Sequence, residues 1–248
     1  MINKLLILTQ ARSGSEYLCT TLARSMVSCK YPINETSETI NFGVDISQTP
    51  NATRFTYFNE KFGRNHRDNQ EILDNVIPIQ EAYFKKYAIA KIFKSEWCMP
   101  HNSTYWNWLA CHDTIKVAHL IRKNTLRRFV SLEISKKTGI WHTNVPLVLT
   151  RLDINIRLLL EYINLSKCED EWAKSVFHSA YNIYYEDVVR DIKGSVVNLL
   201  KWAKILIGVL DVHILKPTNP FDLKSIIINY DEVYSTLKGT DDFWMLEI

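Results

Sequence analysis

The sequence predicts an α/β fold, a three-layer sandwich built on a mainly parallel central sheet. Three observations lead there. Short continuous apolar runs such as Leu5–Leu8 are bounded by polar residues, as strands buried on both faces are. Segments with apolar residues three and four apart separate these runs, which is the helical period. Strand and helix signals then alternate along the chain, the pattern of parallel strands joined by right-handed crossovers.

In chain order, 4–9 (KLLILT) reads as a buried strand, Gln10 to Gly14 as a turn, and Ser15 to Met26 as a helix with Leu18, Leu22 and Met26 on one face. Residues 28–70 are polar and irregular, with weak strand character at Thr53 to Phe58, and read as an insertion over the open end of the sheet. Asp68 to Tyr87 is predicted helical, Ala88 to Phe93 a strand, Ser103 to Cys111 a short aromatic helix, and Lys116 to Ile121 a strand. A helix follows over Asn124 to Lys137, facing inward with Leu126, Phe129, Val130 and Ile134. Another is expected from Pro146 to about His178, with Ile154, Leu158 and Tyr162 at fourfold spacing. Ala180 to Tyr185 reads as a strand and Lys193 to Ile207 as a helix. No repeat or composition break divides the chain, so residues 1–248 are expected to form a single domain.

Composition narrows the function. The 248 residues are 46% apolar and 23% charged, ordinary values for a globular protein. The net charge of +3 argues against nucleic acid as partner and suits a local basic pocket for a small anion. Five cysteines, an odd number with no CxxC pair, disfavour a disulfide framework and a structural zinc site and suggest reduced thiols in the cytoplasm. The apolar run at the start is too short for a signal peptide, and no stretch is long enough for an integral membrane segment.

The strongest local signal is 6–18 (LILTQARSGSEYL), where a buried strand runs into Arg12, Ser13, Gly14 and Ser15 and a helix opens. The first turn of a helix offers unpaired N–H groups and the positive end of its dipole. Gly14 lets backbone approach an anion closely, while Arg12, Ser13 and Ser15 add donors. This is a P-loop-like phosphate-binding loop without the GxxxxGK[ST] spacing or its lysine, which disfavours an ATP or GTP enzyme of that type. Alone, Arg-Ser-Gly-Ser is also a common turn. A second segment adds to it: 117–122 (VAHLIR) is a strand ending in Arg122, with Arg127, Arg128 and Ser131 on the following helix. Arg122 and Ser131 suit a phosphate dianion, though Arg127, Arg128, Lys136 and Lys137 also read as a solvated basic face.

Together these segments resemble the sulfotransferase family that uses 3'-phosphoadenylyl sulfate (PAPS). Arg12 to Ser15 is similar to its 5'-phosphosulfate loop, and Arg122 with Ser131 nine residues on resembles its 3'-phosphate motif. Leu120 to Leu132, then 138–142 (TGIWH), is similar to the bacterial carbohydrate sulfotransferase branch. Tyr185-Glu186-Asp187-Val188 resembles an element after a late strand in the same family. Glu16 departs from the pattern, standing where many members carry Thr or Ser.

The resemblance implies transfer of a sulfuryl group from PAPS to a hydroxyl of a carbohydrate, glycolipid or similar small-molecule or glycan acceptor. It implies no metal. Arg12, Ser13, Gly14, Ser15, Glu16, Tyr17, Arg122, Ser131 and Lys216 are the expected nucleotide-binding residues, with Thr218 beside Lys216 in the C-terminal segment. Arg12 doubles as the group stabilising the leaving phosphate, and Glu35 is the expected general base, with Glu38 second and His119 and His142 behind them. Lys91 reads either as a snorkelling edge residue or as a cation facing the donor. Tyr105, Trp106 and Trp108 offer an acceptor wall, although core packing suits at least two of them. Competing readings are a P-loop-like small-molecule kinase and a non-catalytic nucleotide-binding module. The sequence does not name the acceptor and leaves open whether the protein is a homo-oligomer.

Overall fold

The computed structural model describes residues 4–26, 88–93, 103–140, 149–212 and 221–246, together with residues 77, 78, 80, 81 and 84. The elements in chain order are β1 (Lys4–Thr9), α1 (Ser15–Ser25), β2 (Ile89–Phe93), α2 (Ser103–Ala110), β3 (Ile115–Ile121), α3 (Thr125–Thr138), α4 (Ile156–Val176), β4 (Tyr181–Tyr184), α5 (Tyr185–Arg190), α6 (Ile192–Ala203), α7 (Leu223–Ile226) and α8 (Tyr230–Leu237), with a 3-10 turn at Phe243–Leu246. They fall into two compact units, Met1–Ile121 with Glu171–His213 and Arg122–Asp170 with Ile214–Ile248.

The first unit holds the sheet. Its four strands are all parallel in the order β2-β1-β3-β4. The alternation of β1 sends Leu6 and Leu8 to one face, where they meet Ala90, Ile92 and Val117 under Tyr105, Trp106 and Leu109 of α2 and Ala173 and Phe177. Leu5 and Ile7 point the other way, onto Leu18 and Leu22 of α1, Val188 of α5 and Val196, Leu199 and Leu200 of α6. Helices therefore cover both faces, which is the expected three-layer α/β sandwich, and this explains why β1 reads as an unbroken apolar run.

The second unit is helical. Leu126, Phe129, Val130 and Ile134 of α3 pack with Leu159 and Ile163 of α4, Leu223 and Ile226 of α7, and Val233 and Leu237 of α8. Helix α4 starts at Ile156, ten residues later than the Pro146 expected from the sequence. The stretch before it pairs instead. Leu152 bridges Ile227 in parallel, and the Asn229 side chain accepts from Ile154 N–H and donates to Ile154 C=O, each at 2.8 Å. The Asn155 side chain then accepts from Leu158 N–H at 3.1 Å and opens the helix. The inward stripe also differs. Leu158 is exposed, and Leu159 and Ile163 are the buried pair that packs with α3. Helix α6 ends at Ala203 rather than Ile207, since Lys204 takes a left-handed cap at φ 55°.

Sequence reading did not find α5, α7 or α8. The expected strand at Thr53 to Phe58 lies outside the described residues, as does most of the helix expected over Asp68 to Tyr87. Among the described residues, no helix is long and apolar enough to cross a membrane.

Asn124 ties down the start of α3. Its side-chain oxygen accepts from Arg127 N–H and its amide nitrogen donates to Met245 C=O, both at 2.9 Å, and the residue is buried. Asn124→Ala is expected to destabilise the fold by about 1–3 kcal/mol, because the cap is lost and the Met245 C=O loses its donor. Asn124→Asp keeps the cap but sets a carboxylate oxygen against the Met245 C=O in a buried position, and should cost at least as much as Asn124→Ala. Urea unfolding of the two variants checks the order.

Candidate anion-binding site

The first motif grows out of β1. This strand is hydrogen-bonded to β2 on one side and β3 on the other, and Leu5 to Thr9 are completely buried. Its C-terminal end runs through buried Gln10 into the turn. Arg12 adopts φ 63° and Gly14 φ 74°, so two left-handed residues flank Ser13. A left-handed conformation costs roughly 1–2 kcal/mol for a residue with a Cβ, so Arg12 marks a strained turn. Such a succession curls backbone N–H groups toward one concavity. Gly14 is the N-cap of α1, and no side chain caps this 11-residue helix. Ser13 is fully buried, and its Oγ has no hydrogen-bond partner among the described residues. A buried hydroxyl without a partner costs free energy, and an anion seated in the turn would satisfy it. Ser15 is also buried at the first position of α1.

Tyr185 packs directly on this turn. A Cβ added at Gly14 would come within 2.5 Å of Cδ2 and Cε2 of the Tyr185 ring. Gly14 is thus required twice, for its positive φ and for the ring against it. Tyr17 lies one turn into α1. Burial pushes its hydroxyl pKa up, and the nearby Tyr185 adds to the rise. Glu16 stands in the first turn of α1, where a carboxylate complements the dipole of its own helix. That is a local reason for the residue that departs from the family pattern.

The second motif belongs to the other compact unit. Arg122 follows directly on the last residue of β3, and Ser131 is buried on α3. Arg127 and Arg128 part company. Arg127 is half-buried with Nη1 donating to Phe221 C=O at 3.4 Å, while Arg128 is 1% exposed. The solvated basic face suggested by sequence is therefore confined to the exposed Lys136 and Lys137. Lys136 pairs with Glu133 at 2.7 Å, and Lys137 donates to Arg151 C=O at 2.8 Å.

Of the weaker candidates, His119 is buried within β3. Lys91 is 1% exposed within β2, so it does not snorkel to water. Tyr105 and Trp106 are core residues, with Tyr105 donating to Gln80 Oε1 at 3.1 Å, and only Trp108 is half-buried. Glu35, Glu38, His142, Lys216 and Thr218 lie outside the described residues.

Sequence reasoning did not place Tyr185 against the turn, nor find the α4 residues Tyr162 and Ser166 as partners of Arg128. For α4 the signal was present. Tyr162, Ser166 and Glu169 recur at spacings of four and three, a stripe hidden by the polar character of its last two members.

No protein-family model matches the chain, and no curated protein matches it. Among solved structures, it is similar to the sulfotransferase domain from the curacin biosynthetic pathway, at 17% identity over 84% of this chain and 76% of that one, with a TM-score of 0.43. It is also similar to the sulfotransferase domain from the Synechococcus PCC 7002 olefin synthase, at 14% identity over 83% and 75% of the two chains, with a TM-score of 0.46.

The contact between Gly14 and Tyr185 is directly testable. Gly14→Ala should destabilise the protein by at least the roughly 1–2 kcal/mol of a left-handed Ala, with a further loss from the ring. In a Tyr185→Ala background the ring contribution disappears, so a double-mutant cycle followed by urea unfolding should show a coupling energy on the order of 1 kcal/mol or more.

Proposed function

We propose that this protein is a sulfotransferase that takes a sulfuryl group from PAPS and places it on a hydroxyl of a carbohydrate, glycolipid or similar acceptor. The observation that carries the reading is the turn after β1. A buried strand leads into two left-handed residues, a fully buried Ser13 hydroxyl with no hydrogen-bond partner among the described residues, and a helix N-terminus with no side-chain cap among them. That combination favours a phosphate-type anion held largely by backbone donors. The second support is the pair Arg122 and Ser131, whose spacing and order match the family's other phosphate motif.

PAPS supplies an activated sulfuryl group whose leaving group is a phosphate. The work left to the chain is positioning and charge stabilisation. Ser13, Gly14, Ser15 and the first N–H groups of α1, including those of Glu16 and Tyr17, would hold the 5'-phosphosulfate. Arg12 would oppose the charge that grows on the leaving oxygen. Arg122 and Ser131 would hold the 3'-phosphate, and Lys216 would close over the nucleotide. Glu35 is proposed to accept the acceptor's proton. A Walker-type kinase is disfavoured because its lysine has no counterpart in the turn.

Adenosine 3',5'-bisphosphate (PAP) is the probe. Removing a charge-assisted hydrogen bond costs about 1.5–3 kcal/mol, so Arg12→Ala and Arg122→Ala should each weaken PAP binding by about tenfold or more in calorimetry. Ser131→Ala should cost less. Unchanged affinity in both arginine variants overturns the reading.

Turnover with PAPS should survive excess EDTA. A strict requirement for Mg²⁺ and ATP would favour the kinase reading instead.

Glu35→Gln should lower kcat by ~10²–10⁴-fold while PAP affinity stays near wild type. If Glu38→Gln shows that loss and Glu35→Gln does not, the base is Glu38.

A further inference from the structure

The two most exposed large apolar side chains among the described residues lie three positions apart. Val209 is 86% exposed and Leu206 77%, against 55% or less for the others. Scattered surface leucines are ordinary, but two side chains this bare on one short segment point to a partner. The segment is not a loose tail. Lys204 ends α6 in a left-handed cap whose N–H bonds back to Lys201 C=O at 3.1 Å, and Ile205 N–H reaches Leu200 C=O at 3.0 Å. Farther on, Gly208 N–H donates to Ser25 C=O at 2.7 Å and Asp211 N–H to Ser25 Oγ at 3.3 Å, while Ile207 bridges Met26. Ile205 is buried in the core under α1 and α6, and Ile207 and Leu210 pack against that core. Inward side chains and backbone bonds thus fix the segment, and Leu206 and Val209 are held out in water.

The charges around them carry one sign. In 201–210 (KWAKILIGVL) the charged residues are Lys201 and Lys204, and both are exposed. Asp211, next in the chain, is engaged by Arg24 at 3.7 Å. Trp202 sits between the lysines, half-buried against Tyr181 with ring centroids 5.4 Å apart. Lysines beside an indole and bare aliphatic tips make the composition that settles at the surface of an anionic bilayer. A second copy of the chain fits less well. Leu206 and Val209 together expose roughly 250 Å², against the about 800 Å² that each partner brings to a stable protein interface. A two-fold contact would also set this lysine-bearing patch against itself.

We infer that the segment after α6 is a membrane-docking surface. Leu206 and Val209 enter the boundary between headgroups and acyl chains of an anionic bilayer, and Lys201 and Lys204 meet the lipid phosphates. The contact is peripheral and spans nothing. It lies at Ser25, the last residue of α1, whereas the anion turn opens α1 about 16 Å of helix away. That separation exceeds the roughly 5–10 Å to which such contacts penetrate, so docking leaves the turn outside the bilayer. The inference therefore stands apart from the donor reading.

The test is co-sedimentation of the full chain with vesicles of phosphatidylcholine alone and of phosphatidylcholine mixed equally with phosphatidylglycerol. Wild type should pellet with the anionic vesicles, and less so as salt rises. Leu206→Ser combined with Val209→Ser should weaken that binding by about tenfold or more, because both apolar insertions are lost. Val209→Ser alone should give part of the loss. Lys201→Gln and Lys204→Gln should each weaken it by roughly fivefold on the anionic vesicles only. All four side chains are exposed, so melting temperatures and PAP affinity should stay near those of wild type; a loss of PAP binding in wild type bears on the donor reading and not on this surface. Wild type that stays in solution with both vesicle types overturns the inference. So does a double serine variant that binds like wild type, since the attraction is then only that of a positively charged chain. A wild type that ignores vesicles but is dimeric in analytical ultracentrifugation, with the double serine variant monomeric, assigns the surface to a second copy instead.

Discussion

Strand β1 has no free edge and no free face. It is hydrogen-bonded to β2 and β3 and covered by apolar side chains from α1, α2, α5 and α6. A strand in that position cannot tilt or slip without exposing Leu5 to Leu8 or breaking two ladders. Its C-terminal end is consequently a fixed point, and the turn that follows inherits the rigidity. That is what allows Arg12 to stay left-handed and the Ser13 hydroxyl to be buried without a hydrogen-bond partner among the described residues, since strained groups persist only where their surroundings over-determine them. Tyr185 completes the constraint from the end of β4, because its ring fills the space that any side chain at residue 14 would need.

What the sequence revealed follows from the same physics. Buried strands read clearly because both of their faces must be apolar. β1 was legible residue for residue, and β2 to β4 within a residue or so at each end. The turn was legible because a buried strand, a Gly between two Ser and a helix start follow one another directly, although Arg-Ser-Gly-Ser alone is also a common turn and the reading needed the second motif beside it. The start of α4 was not legible. Leu152 and Ile154 are as apolar as a helix face, and their pairing with Ile227 and Asn229 comes from a segment about 75 residues away. Arg128 was misread for a related reason. An arginine beside Arg127 and near Lys136 looks like part of a solvated stripe, and only the phenol and hydroxyl on α4 show it to be interior. Long-range partners of polar groups leave no local pattern.

The two proposed phosphate motifs face different physical problems. The turn after β1 presents mainly backbone donors, whose directions are set by the chain and need no rotamer to be frozen. Arg122 is a long side chain, and ordering one like it costs up to about 1.5–2 kcal/mol of conformational entropy. A subsite built on such a residue gains from neighbours that restrict it before an anion arrives, for then less is lost on binding.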